Sequence, residues 1–228
     1  MARDHVISNT AKDGDVIVTA EQTAGYGRRG RAWQHQTGNV YLTLTRFFND
    51  DMKDLLYHYG FITSLAIAAA CRETLTGTMA KIDLKWPNDV LVNDGKIAGI
   101  LLEKTEQGDQ TVLLLGVGVN LVTPPDVDQK VAALDQFLPQ NMLPRDFILV
   151  FLRSFTQYEQ QLRQQGFAPI RQAWLEQAKG QGDIIAARLA NGTVLEGRFL
   201  DLDHHGALLL QTDEAIKTIT AADIFFTS

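Results

Sequence analysis

The chain of 228 residues (25.3 kDa) is 45% hydrophobic and 21% charged, which supports one large or two small cores and excludes a disordered chain. Its longest apolar stretch, Gly60 to Cys71, contains Thr63 and Ser64 and is shorter than the roughly 20 residues a membrane span needs; with no apolar leader after Met1 and one lone cysteine, Cys71, the cytoplasm is the expected compartment. The net charge of −6 argues against general binding to a phosphate backbone, yet seven acids and three bases fall after Gln181, which leaves Arg28, Arg29 and Arg31 prominent in a nearly neutral first part.

Asp15 to Ala20 and Asn39 to Thr45 are short runs rich in Val, Ile, Thr and Tyr, and they predict strands around a polar, glycine-rich, mobile stretch, Glu21 to Gly38. Leu55, Tyr59, Ile62, Leu65, Ala66 and Ala69 recur at three- and four-residue steps, predicting a helix from about Asp54 to Thr76 that Gly77 stops. From Lys81 to Leu121 the pattern turns to strands: Ile82 to Trp86, Asp89 to Asn93, an Asp94-Gly95 turn, Lys96 to Lys104, and Thr111 to Leu121. Val112-Leu113-Leu114-Leu115 fits a central strand covered on both faces.

Helical cover is expected from Val127 to Leu138, from Pro144 to Gln165 with a stripe of Phe147, Phe151, Phe155, Tyr158 and Leu162, and from Pro169 to Lys179. After Asp183 the helical period disappears, and five short strands with an Asn191-Gly192 turn suggest a small SH3-like barrel that packs on the larger part. The predicted fold class is therefore α+β, a mixed or antiparallel sheet packed with helices plus a small β barrel, divided into residues 1–180 and 181–228.

Four segments carry chemical signal. Gly25, Gly27 and Gly30 let a backbone approach a ligand closely, Arg28, Arg29 and Arg31 are fixed cations suited to phosphate or carboxylate, and Trp33 offers a stacking surface. In Lys85-Trp86-Pro87-Asn88-Asp89, at a turn between strands, Lys85 could neutralise an anion and Asp89 could bind magnesium through a phosphate. Gly95-Lys96-Ile97-Ala98-Gly99-Ile100-Leu101-Leu102-Glu103 and Gly116-Val117-Gly118-Val119-Asn120 place glycines inside strands, as where a flat ligand lies against a sheet, although bulges give the same pattern. An inert basic loop and an RNA-binding loop are the alternative readings of the arginines. Cys71 has no neighbouring histidine, the five histidines lack zinc spacing, and no Walker loop or Gly-x-Ser-x-Gly elbow is present.

Together and in this order the four segments resemble the catalytic domain of biotin protein ligases. That family's pattern is Gly-Arg-Gly-Arg-Arg-Gly-Arg-x-Trp, Lys-Trp-Pro-Asn-Asp, Lys-x-Ala-Gly-Ile-Leu-x-Glu and Gly-x-Gly-x-Asn; the resemblance runs from about Ala11 to the end and includes Gly206-Ala207-Leu208-Leu209. It implies a class II synthetase-like fold in which biotin and ATP, with Mg2+, give biotinyl-5′-AMP, and a lysine of a biotin carboxyl carrier domain then takes the biotin. By the same resemblance Gln22, Tyr26, Gly27, Arg28, Lys85, Gly99 and Leu101 line the biotin pocket. Lys85 and Arg28 act on the reacting groups, while Arg28, Arg31, Trp33, Asn88 and Asn120 hold the nucleotide. Asp89 is the metal candidate, through phosphate.

Two positions depart from the pattern. Tyr26 stands where the family usually has arginine, removing a donor. The family's Ser-Thr-Asn strand would fall at or before Met1, and Ser8-Asn9-Thr10 is a misplaced lookalike, so the expectation is either a truncated start or weakened, altered ligand binding. No DNA-binding domain is expected, and homodimerisation at a sheet edge stays open. The alternative functions are a lipoate- or octanoate-type acyl transferase and a non-catalytic biotin- or nucleotide-binding protein.

Overall fold

The structure, a computed structural model, describes residues 1–49 and 55–226; the expected helix start at Asp54 lies outside them. Strands β1 (Val16–Thr19), β2 (Val40–Phe48), β3 (Ile82–Lys85), β4 (Asp89–Val92), β5 (Gly95–Gln107) and β6 (Gln110–Val119) form one sheet in the order β1-β2-β6-β5-β4-β3. Every neighbouring pair is antiparallel. Helices α1 (Ala2–Ile7), α2 (Tyr59–Thr74), α3 (Pro144–Gln165) and α4 (Phe167–Leu175) pack around it, and β7 (Ile184–Arg188), β8 (Val194–Leu202), β9 (Leu208–Gln211), β10 (Ile216–Ile219) and β11 (Asp223–Phe226) make a second antiparallel sheet in the order β10-β9-β8-β7-β11.

The run in β6 is covered on both faces. Leu113 and Leu115 enter the main core with α2 and α3, whereas Val112 and Leu114 meet Val6 of α1, Ala11 and Phe47 on the opposite face. Alternation of side chains along a strand produces that split. The α3 stripe forms as its period requires, with Phe147, Phe151, Phe155 and Leu162 each at 1% exposure. Helix α2 is apolar nearly all round and lies between the sheet and α3, as a helix without a polar face must. Burial raises the thiol pKa of its Cys71, which suits packing rather than nucleophilic chemistry.

Three boundaries differ from the sequence expectation. Between Val127 and Leu138 there is only a 3-10 turn, Leu134–Phe137, because the preceding backbone is used by the sheet: Lys96 N donates to Lys130 O and Ala132 N to Lys96 O. The β4–β5 turn uses Asn93 and Asp94, with φ 46° and 66°, and Gly95 is already in the strand. A Cβ there would come within 2.7 Å of Ala132 Cβ. Helix α4 begins at Phe167 rather than Pro169, since Gly166 at φ 74° turns the chain and sends the Phe167 ring onto His58, centroids 4.0 Å apart. It ends before Lys179 because the following residues pair with the edge of β3: Leu84 N donates to Gln177 O and Lys179 N to Leu84 O, both at 2.8 Å.

One buried polar group sits inside this packing. Glu159 of α3 accepts from Arg46 Nε at 2.8 Å, from Arg46 Nη2 at 3.0 Å and from Tyr59 Oη at 2.6 Å. Burial opposes its charge, but those hydrogen bonds more than offset it and hold the carboxyl below the ordinary value of 4.5. Removing one partner of such a pair leaves the other charge buried, so Glu159→Ala should destabilise the fold by about 3 kcal/mol in urea unfolding at pH 7. The exposed Glu214→Ala should stay within about 0.5 kcal/mol. A depressed carboxyl contributes stability above its unfolded value and loses it as pH falls through the folded one, so the gap between wild type and Glu159→Ala should narrow below pH 4.5.

Candidate active site

Facing residues of β2, β6 and β5 define one open face of the main sheet. Tyr41, Gly118 and Gly99 form one row across the ladders, and Thr43, Gly116 and Leu101 form the next. Trp33 lies on the first row: a Cβ at Gly118 would be 2.6 Å from the indole Cε2, and one at Gly99 would be 2.7 Å from Cζ3. Side chains at either glycine would exclude the ring. The second row is a half-buried trough of Thr43, bare backbone and Leu101, between Trp33 and the Leu114 region that α1 covers.

The segment carrying Trp33 is a small hairpin of its own. Tyr26 pairs with Ala32, Gly27 N donates to Arg31 O at 2.7 Å and Trp33 N donates to Gly25 O at 2.9 Å. Arg28–Gly30 is the 3-10 tip, where Arg29 takes the left-handed conformation, φ 57°. Gly25 is required by crowding, because its Cβ would run into the Gln22 carboxamide oxygen and come within 2.7 Å of Trp33 O. Thus Gln22, Gly25 and Trp33 are brought together at one end of the trough.

Four ties hold this hairpin. Tyr26 Oη donates to both carboxylate oxygens of Glu103, at 2.9 and 3.0 Å, so the residue that departs from arginine anchors the hairpin to β5. That hydrogen bond, then burial, raises the tyrosine pKa. Arg29 and Arg31 both bind Asp223 of β11, at 3.1 and 2.6 Å. Burial alone would raise the Asp223 pKa, but the hydrogen bond and charge of Arg31 and the charges of Arg29 and Arg28 hold it below 3.8. Arg28 turns inward instead and donates to Asn88 Oδ1 at 3.2 Å. Asn88 is itself fixed by donating to Ile100 O at 2.7 Å.

Lys85, Asn88 and Asp89 sit on the β3–β4 hairpin, with Lys85 opposite Asp89. Burial, before any charge effect, lowers the pKa of Lys85, with Asp89 opposing the shift and Lys96 and Lys179 adding to it. Burial also disfavours the charge on Arg28, followed by Arg29. Among the described residues neither Lys85 nor Arg28 has a carboxylate within ion-pair distance. Asp89 is taken by Lys96 Nζ at 2.8 Å, and Lys96 also lies 5.4 Å from the centroid of Trp33.

Lys96 stands in one of the four segments but receives no role from the sequence reading. Val90 pairs with Ala98 but Leu91 pairs with Lys96, so Ile97 is an extra residue in β5. Such a bulge shifts the alternation by one and brings Lys96 to the face of Gly99, whose Cβ would lie 3.4 Å from Lys96 Cε. Asn120 is 3% exposed and donates to Ala132 O at 3.2 Å and Lys96 O at 3.4 Å, so it braces the Lys96 backbone. Trp86 is also internal, its Nε1 donating to Gly206 O at 3.0 Å. Ser8 and Thr10 hydroxyls are spent on carbonyls of α1. Among the described residues no cluster of three or more His, Cys, Asp or Glu could hold a metal, and no helix is long and apolar enough to cross a membrane.

The profile of the Biotin/lipoate A/B protein ligase family matches residues 1–120, and that of the Biotin protein ligase C terminal domain matches residues 182–227. The chain is 36% identical to a biotin--[acetyl-CoA-carboxylase] ligase of Paracoccus denitrificans, over 92% of this chain and 89% of the relative. It is 33% identical to the bifunctional ligase/repressor BirA of Bacillus subtilis, over 95% of this chain and 67% of the relative. A solved biotin protein ligase of Aquifex aeolicus, in complex with biotin and ATP, has the same fold, with TM-score 0.83, 22% identity, and coverage of 99% of this chain and 95% of that one.

The ties to Asp223 are partly exposed, each worth about 0.2–1 kcal/mol, so Asp223→Asn should change global stability by less than about 2 kcal/mol. Its effect should be local: trypsin should cut at Arg28, Arg29 or Arg31 several-fold faster than in the wild type. Equal cleavage rates would show that β11 does not hold the hairpin.

Proposed function

The chain belongs to the biotin/lipoate A/B protein ligase family, and from that membership and the site geometry we propose that it is an ATP-dependent biotin ligase, which forms biotinyl-5′-AMP and passes biotin to a lysine of an acceptor carboxylase domain. The observation that carries the chemistry is the pair of half-buried cations, Lys85 and Arg28, without carboxylate partners beside an uncharged trough. A desolvated cation is stabilised by an incoming anion, and two anions must meet in this reaction.

The residues divide the work by position. The trough of Thr43, Gly116 and Leu101, next to Gly99, suits the apolar part of biotin, with Gln22 at its end to hydrogen-bond the polar head. Tyr26 and Gly27 are the wall of the hairpin over it. Lys96 and Arg28 face the carboxylate and the phosphate it attacks, and Lys85 lies on the phosphate side. Trp33, exposed on one side and resting on Gly99 and Gly118, is a platform for the base. Arg31 and Asn88 hold the hairpin and Arg28 for the nucleotide, and Asn120 fixes Lys96 from below while lying at the base side of the site.

Asp89 lies opposite Lys85 and beside Lys96, and a single carboxylate with nucleotide phosphates is a common way to hold Mg2+. Its Oδ1 is held by Lys96 Nζ at 2.8 Å, so an ion bound there would share the carboxylate with that ammonium. The ion would supply charge neutralisation on the phosphates. Fixed cations do the rest, and a site closed by the hairpin keeps the mixed anhydride from water. We divide the chain at residue 180 into this catalytic part and a C-terminal unit that supplies Asp223, and we place the protein in the cytoplasm.

The test is biotin-dependent exchange of pyrophosphate into ATP. Lys96→Ala and Lys85→Ala should each slow exchange by about 100-fold or more, the loss expected for a preorganised charge at a reaction centre. Unchanged rates would remove these cations from it. Arg28→Ala should release preformed biotinyl-5′-AMP faster than the wild type, and equal retention would contradict closure by the hairpin.

A further inference from the structure

Lys85 stands in one row with Asp89, Gly99 and Gly118, on the face of the trough, at the β3 edge of the sheet. Its Nζ is 5.4 Å from the centroid of the Phe226 ring, and Lys179 Nζ lies 4.7 Å from the same centroid. Two ammonium groups from distant segments therefore meet one aromatic ring at the junction with the C-terminal sheet. Backbone bonds fix this meeting. The connector after α4 is joined to the edge of β3 at Leu84, which sets Lys179 beside the strand that carries Lys85. Phe226 is seated against Gly180, at φ 81°, where a Cβ would come within 2.8 Å of the ring. The nearby carboxylates are already engaged, Asp89 by Lys96 and Asp223 by Arg29 and Arg31.

We propose that Lys179 is a positioning residue for the phosphate chain of the nucleotide, gripping with Lys85 the two phosphates beyond the one attacked and the pyrophosphate they become. The proposal rests on the ligase reading. In that step a biotin carboxylate oxygen bonds to the α-phosphorus, the bond from that phosphorus to the α,β-bridging oxygen breaks, and its electron pair leaves on pyrophosphate. Negative charge gathers on the leaving end, where a second cation has most effect. Without nucleotide, Lys179 makes a close ion pair with Asp94 at the β4–β5 turn. Asp94 is 53% exposed and also faces Lys130 Nζ at 3.8 Å, so Lys179 can exchange it for phosphate without stranding a buried charge. The connector between the two sheets thereby becomes part of the nucleotide site.

Calorimetric binding to the full chain needs no turnover and separates the phosphate chain from the rest of the ligand. Lys179→Ala should weaken binding of inorganic pyrophosphate and of ATP about tenfold, as loss of a charged hydrogen-bond partner does, while biotinyl-5′-AMP, which lacks both outer phosphates, should bind as to the wild type. Lys179→Arg should restore both. Asp94→Asn removes the ion pair but keeps Lys179, and should bind pyrophosphate at least as tightly as the wild type. Equal weakening of biotinyl-5′-AMP and pyrophosphate in Lys179→Ala, or a loss in Asp94→Asn like that in Lys179→Ala, would overturn the proposal and leave Lys179 a structural tie. These differences among the variants, with no biotin-dependent exchange by the wild type, would uphold the phosphate site and contradict the ligase reading.

Discussion

Gly99 and Gly118 face each other across the β5–β6 ladder, and the bare backbone they leave is the constraint on which the site depends. Any side chain at either position would collide with the indole of Trp33. With the ring seated there, the hairpin from Gly25 to Trp33 closes one end of the trough at Thr43, Gly116 and Leu101, and its tip delivers Arg28 to Asn88. Glycine weakens a strand interior, and the flanking ladders offset that cost: β6 is a central strand paired along its whole length with β2 and β5, with apolar cover on both faces.

The second principle is charge placed where water is scarce. Lys85 and Arg28 are held half-buried without carboxylates, and burial disfavours the charge on both. The fold tolerates this because neighbouring cations are neutralised in pairs, Arg29 and Arg31 by Asp223 and Lys96 by Asp89. All four of the hairpin's ties reach residues far along the chain, two to β11, one through Tyr26 to Glu103 and one through Arg28 to Asn88. Tyr26 gives the hairpin a fixed mooring on β5. The C-terminal sheet is then a structural member of the site, joined to it by Asp223, by Phe226 and by the Trp86 bond to Gly206.

Much of the fold was legible because it is written in short periods. The α3 stripe, the doubly covered run Val112 to Leu115 and the five terminal strands need only neighbouring residues to be read. The glycine and arginine motifs also singled out Arg28, Lys85, Asn88, Gly99 and Trp33, which the structure brings into neighbouring positions on the sheet and its hairpin. Lys96 stood in a motif without a role, and its place on the face of Gly99 was hidden by the bulge at Ile97, since strict alternation puts it on the opposite face. Asp223, Lys179 and Phe226 carry no local signal, because their meaning comes from partners contributed by other elements. The helix expected between Val127 and Leu138 fails for a similar reason: its backbone is claimed by Lys96. The glycines were read as a floor for a flat ligand, and the first flat group on that floor proves to be the chain's own tryptophan.

The central claim is that this site joins a carboxylate to the α-phosphate of a nucleotide and retains the product. Its most direct test is mass spectrometry of the small molecule that remains bound after the full chain is mixed with biotin, ATP and Mg2+ and freed of unbound ligand. The account predicts biotinyl-5′-AMP in near-equal amount with the protein. Recovery of unmodified biotin, with ATP intact in solution, would contradict it.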